Sequence, residues 1–126
     1  MDPEYVLDAS ALLALVRGEP GSQKVAGILD RCSLSAVNLA EVVTKLLQKG
    51  AERAKVESLL GDLELNVVPW TESLAYASAE FAGLAWQRGF SLGDRACLTL
   101  AAQMRATAVT CERSWEGLPV QVMQIR

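Results

Sequence analysis

The chain has 126 residues, 51% of them hydrophobic, a formal charge of −3 and no histidine. That length and apolar content suit a single domain, residues 1–126, with a packed core; disordered, fibrous and solenoid architectures are excluded, since no low-complexity tract or repeat is present. The missing histidine, with no close cysteine pair, removes Cys/His zinc sites, Ser-His-Asp and Cys-His groups and imidazole acid–base chemistry, and the acidic balance argues against broad electrostatic capture of nucleic acid.

In chain order, "YVL" at residues 5–7 reads as a short strand, and Ser10 is a candidate cap for a helix through "ALLALVR", which "GEPG" ends. "SQKVAGILDR" has helical spacing, "SLSA" reads as a brief buried strand, and "NLAEVVTKLLQKG" is a helix stopped by Gly50. "AERAKVESLLGDL" continues as a further helix, and "LNVVPW" is a strand closed by Pro69. Thr71 then caps one long helix, "ESLAYASAEFAGLAWQRG", with Glu72 complementing its positive end. After "FSLGD" come an apolar helix "RACLTLAAQMR", a strand "ATAVT" and a final strand "VQVMQI". Short apolar strands alternating with helices predict an α/β fold with a mostly parallel, doubly wound sheet.

The opening "MDPEY" lacks the basic start of a signal peptide, and no apolar stretch nears the roughly 20 residues that span a bilayer, so the expected location is cytoplasmic. Cys32, Cys97 and Cys111 are odd in number and far apart, as reduced core thiols are. Core packing is the expected role of Trp70, Trp86 and Trp115, and ion pairing with neighbouring acids that of Arg95 and Arg113.

In a parallel sheet of this kind ligands bind beyond the carboxyl ends of the strands. Asp8 follows "YVL" directly, and Glu112 follows "ATAVT". Asp94 stands at the head of the helix after "SLG", and Glu41 lies on the helix after the second strand. Each also has a plain structural reading. Asp8 and Asp94 suit helix N-caps, Glu41 belongs to a solvated stripe with Asn38, Lys45 and Gln48 in which it pairs Lys45, and Glu112 is an ordinary loop charge.

Taken together, "YVLDASALLAL", "LSAVNLAEVVTKL", "SLGDRACLTLAAQM" and "AVTCERSW" resemble the PIN-domain ribonucleases, in particular the VapC-type toxins of toxin–antitoxin pairs, over nearly the whole chain and in family order. The resemblance implies a three-layer α/β/α fold. It places the metal-site acids on Asp8, Glu41 and Asp94, with the Ser10 and Thr110 hydroxyls beside them. The fourth acid falls on Glu112, where the family usually has aspartate in a T-x-D-x-x-aromatic motif; here the stretch is Thr110, Cys111, Glu112, Arg113, Ser114, Trp115.

The implied activity is Mg²⁺- or Mn²⁺-dependent endoribonuclease, because hard cations take carboxylate, water and phosphate oxygens and need no histidine. Without metal, crowding of these acids is expected to raise at least one carboxyl pKa. Implied partners are an RNA substrate, a cognate antitoxin whose tail covers the site, and a second copy in a homodimer. The alternative is a catalytically degenerate PIN-like module that binds protein or RNA. Haloacid-dehalogenase-like and receiver-like readings fail: the first wants a second acid where Ser10 stands, and the second wants adjacent acids after the first strand where the chain has "LDAS".

Overall fold

The structure is a computed structural model that describes residues 4–126, so Met1–Pro3 of the opening stretch lie outside the described residues. Strand β1 (Tyr5–Leu7) leads into α1 (Ala9–Arg17), α2 (Ser22–Ala26) and a 3₁₀ turn at Leu29–Arg31. Strand β2 (Cys32–Ser35) is followed by α3 (Ala36–Gln48) and α4 (Arg53–Asp62), and β3 (Asn66–Val68) by α5 (Glu72–Ala77) and α6 (Gly83–Arg88). Helix α7 (Leu92–Met104), β4 (Thr107–Thr110) and β5 (Val122–Gln124) complete the chain.

The five strands form one all-parallel sheet in the order β3-β2-β1-β4-β5. Because side chains alternate across a strand, Leu7 faces a core with Leu12, Leu34, Val42 and Val109, and Val6 faces the other with Phe81, Leu98, Ala108 and Trp115. The central strands β1, β2 and β4 are covered on both faces, whereas the edge strands β3 and β5 are partly exposed. The outcome is the three-layer α/β/α arrangement. Among the described residues no helix is long and apolar enough to cross a membrane.

Three local expectations are corrected. Asp8, not Ser10, caps α1, its carboxylate accepting from the Ala11 N–H at 2.8 Å. The long helix after Thr71 is broken by a 3₁₀ turn at Ser78–Phe81; Ser78 Oγ donates to the Ala75 carbonyl at 2.6 Å, and the tightened turn delivers Phe81 to the core. Helix α7 begins at Leu92, capped by Ser91, while Asp94 sits one turn inside and returns the bond to the Ser91 N–H in a capping box. Thr71 does cap α5, accepting from the Leu74 N–H.

The tryptophans divide. Trp115 is 3% exposed and stacks on Phe90 with ring centroids 5.8 Å apart, whereas Trp86 is 76% exposed. Trp115→Ala is expected to destabilise the protein by about 3–5 kcal/mol and Trp86→Ala by no more than about 0.5 kcal/mol. Urea unfolding of the two variants checks this, and equal losses would contradict the core assignment.

Candidate active site

Asp8 stands where β1 ends, its N–H donating to the Val109 carbonyl at 3.0 Å. One carboxylate oxygen accepts from the Ala11 N–H (2.8 Å) and Ser10 Oγ (2.7 Å), and the other from Thr110 Oγ1 (2.5 Å). Each hydroxyl then accepts in turn: Ser10 Oγ from the Cys111 N–H and Thr110 Oγ1 from the Glu112 N–H, both at 2.9 Å. The start of α1 and the turn after β4 are thereby laced together around one carboxylate. Asp8 is only 3% exposed, and burial pushes its pKa up to about 6 against the pull of these hydrogen bonds. The Asp94 charge acts upward too, as the smallest of the causes, so the expected rise occurs through burial and not chiefly through crowding.

The turn that carries Glu112 is held from its far side as well. The Glu112 carbonyl accepts from Gln124 Nε2 at 3.1 Å, and Arg88 donates to the carbonyls of Ser114 and Glu116. The Glu112 side chain itself is exposed.

Across from Asp8, α3 and α7 form the second wall. Asn38 is 1% exposed, and its Nδ2 donates to Glu41 Oε1 and to the Gly93 carbonyl, each at 3.0 Å. Its Oδ1 is buried with no protein partner among the described residues. A Cβ on Gly93 would lie 2.0 Å from Glu41 Oε1, so the Glu41 carboxylate occupies the space that a side chain at 93 would need. Asp94 follows, with Oδ2 accepting from the Ser91 N–H at 2.9 Å.

These walls enclose a cavity of about 290 Å³ whose lining includes Asp8, Glu41, Asp94 and Glu112, with Lys45 and Ser10 beside them. All four acids singled out in the sequence therefore meet at one place, beyond the carboxyl ends of β1 and β4. Asn38 is buried instead of belonging to a solvated stripe, and Glu41 takes its hydrogen bond from Asn38 and not from Lys45. Among the described residues Lys45, Arg95 and Arg113 pair with no acid, and Arg95 Nε donates to the Ser91 carbonyl instead. Asn38, Ser91 and Gly93 also shape the site, and of these only Asn38, one turn before Glu41 on α3, carries a signal in the sequence.

Oxygen donors alone suit a hard cation such as Mg²⁺ or Mn²⁺. No three acid or cysteine side chains among the described residues are close enough to ligate one ion together. Among the described residues Glu41 Oε2 and Asp94 Oδ1 take part in no hydrogen bond.

The sheet is all-parallel with acids gathered beyond its carboxyl edge, and the PIN-domain family model matches residues 5–119. The chain belongs to the PIN-domain family. Among curated proteins no sequence matches it significantly. Of solved structures, it is similar to the DNA-bound VapBC complex of Salmonella typhimurium at TM-score 0.76 and 14% identity, covering 99% of this chain and 100% of that one. It is also similar to FitAcB of Neisseria gonorrhoeae at TM-score 0.69 and 22% identity, covering 96% and 97%. VapC20 of Mycobacterium tuberculosis, described as a sarcin-ricin loop cleaving toxin, aligns at TM-score 0.70 and 18% identity over 88% and 92%. At such identities the likeness establishes the shared fold.

The raised Asp8 pKa has a sign that can be tested. Below about pH 4 Asp8 is protonated folded and unfolded; between 3.8 and about 6 only the unfolded chain releases the proton, so stability falls as pH rises through that window. At about 1.4 kcal/mol per pH unit the loss reaches about 3 kcal/mol by pH 7. Asp8→Asn keeps the cap and removes the titration, so in chelator it is expected to gain on the parent by that amount between pH 4 and pH 7. Urea unfolding across the range reads the difference, and a flat difference would show that Asp8 ionises normally.

Proposed function

We propose that this protein is a divalent-metal-dependent endoribonuclease, the toxin of a toxin–antitoxin pair, with Asp8, Glu41, Asp94 and Glu112 as its metal-site acids. The convergence of these acids on one cavity carries the reading. Membership of the PIN family and the likeness of the fold to VapBC, FitAcB and VapC20 support it.

When bound, Mg²⁺ or Mn²⁺ supplies positive charge against the phosphodiester oxygens and makes water a better nucleophile. The protein's own part is placement. Ser10 and Thr110 hold both oxygens of Asp8, so the carboxylate meets its partner without reorganising. Asp94 is locked by the Ser91 cap while its second oxygen stays open to the cavity. Lys45, exposed at the rim and paired with no described acid, offers the one cationic side chain of the lining to an RNA phosphate. Glu112 reaches the cavity from a backbone held by Thr110, and its longer side chain suits contact through a water.

An antitoxin segment bringing a cation to these acids would relieve the same charge and close the site. Pairing of two copies belongs to the same reading, with Tyr76 and Trp86 among the exposed apolar side chains available to such a contact.

Asp8→Asn, Asp94→Asn and Glu41→Gln are each expected to lower RNA cleavage at least about 100-fold, about 2.7 kcal/mol of barrier, while remaining folded. Two of the three cleaving RNA at the parent rate, against metal-stripped controls, would refute the assignment and favour a binding module. Glu112→Asp is expected to keep or raise activity, and Glu112→Gln to lower it by less than Asp8→Asn does. A Glu112→Gln protein as active as the parent would place Glu112 outside the reaction.

A further inference from the structure

We propose that Asn38 is a positioning residue: its side-chain amide holds the Glu41 carboxylate at the acid-lined cavity, in the space left by the missing side chain of Gly93. The inference rests on the metal-site reading of that cavity and adds to it a residue outside the four acids.

Three observations converge on it. Both contacts of Asn38 run from the same nitrogen, Nδ2, one to Glu41 Oε1 and one to the Gly93 carbonyl, each at 3.0 Å. The amide is therefore fully used as a donor of two bonds, while Oδ1 is buried with no protein partner. An apolar side chain would fill a site that is 1% exposed without stranding an oxygen, so it is the pair of N–H donors that the position requires.

The second contact matters as much as the first. Gly93 precedes Asp94 on α7, and Glu41 lies on α3, so one amide sets the spacing between two acids carried by different helices. Gly93 completes the seat from below. A Cβ there would meet Glu41 Oε1 at 2.0 Å, Cδ at 2.4 Å and Oε2 at 2.6 Å, so any side chain at 93 must expel the carboxylate. The atoms it would meet are the end of a flexible side chain, and the helix can accept alanine there with the fold intact. The Asn38 donor and the bare Gly93 backbone thus seat the carboxylate together, with Oε2 in no hydrogen bond among the described residues.

The competing view is that Asn38 merely rivets α3 to α7. The two differ in their dependence on Glu41. A rivet lowers the melting temperature whatever stands at 41, whereas a positioning residue alters metal affinity only through the Glu41 carboxylate.

The test is Mn²⁺ binding by titration calorimetry on the intact protein without RNA, with thermal melting in chelator to establish folding. Asn38→Ala and Gly93→Ala are each expected to weaken Mn²⁺ binding about 10- to 100-fold, the range seen when a partner of a metal-site group is removed. In a Glu41→Gln background neither change is expected to weaken it further. Parent-like affinity in folded Asn38→Ala, or losses that add fully to that of Glu41→Gln, would overturn the proposal. Should Asn38→Ala fail to fold, Gly93→Ala decides, since it displaces the same carboxylate and leaves the amide intact; parent-like affinity there overturns it equally. A parent protein that binds no Mn²⁺ refutes the metal-site reading itself and this inference with it, an outcome distinct from a binding parent with insensitive variants.

Discussion

The molecule is organised around a carboxylate that burial disfavours. Asp8 is almost wholly removed from water, and its charge survives only because two hydroxyls and a backbone N–H point at it. Those donors come from both sides of the sheet's carboxyl edge, Ser10 from α1 and Thr110 from β4. Satisfying Asp8 therefore fixes the entry of α1, the exit of β4 and the turn bearing Glu112 relative to one another. The hydrogen bonds limit the rise in its pKa without cancelling it, and the residual misfit is what a cation in the cavity would relieve.

The opposite wall uses different means for the same end. Asp94 is oriented by the capping box at the start of α7, a local device worth about 1 kcal/mol to the helix in its own right. Glu41 has no such cap, since it lies within α3, and it is held by a neighbouring amide and by the absence of a side chain at Gly93. Acids of like charge are thus brought to one cavity without ion pairs among the described residues to neutralise them, and backbone donors, hydroxyls and an amide carry the cost. Such uncompensated charge is more typical of a functional site than of a structural network.

Core packing explains why the edge can bear this load. The central strands place Val6 and Leu7 in cores on opposite faces of the sheet, so the strand ends are anchored from both sides. Trp115, packed on Phe90 a few residues beyond Glu112, extends that anchoring to the loop itself. The polar lining then rests on a rigid support.

The short strands, their alternation with helices and hence the parallel sheet were legible in the sequence, because successive strands joined through helices lie parallel in one sheet. The positions of the acids were legible too, with Asp8 at the end of β1, Glu112 just past β4, Asp94 in the first turn of α7 and Glu41 within α3, the helix after β2. What the sequence left undecided depends on contacts between residues distant in the chain. Both Ser91 and Asp94 are good capping residues, and only the path of the chain into α7 decided that Ser91 caps and Asp94 answers it. Asn38 looked like part of a wet helical stripe because spacing along α3 carries no information about what covers that face. The approach of α7, bringing the Gly93 carbonyl within 3.0 Å of Asn38, buried it. Likewise the rise in the Asp8 pKa was foreseeable from crowded acids, but that burial dominates it is a property of the packed interior, which tertiary structure alone supplies.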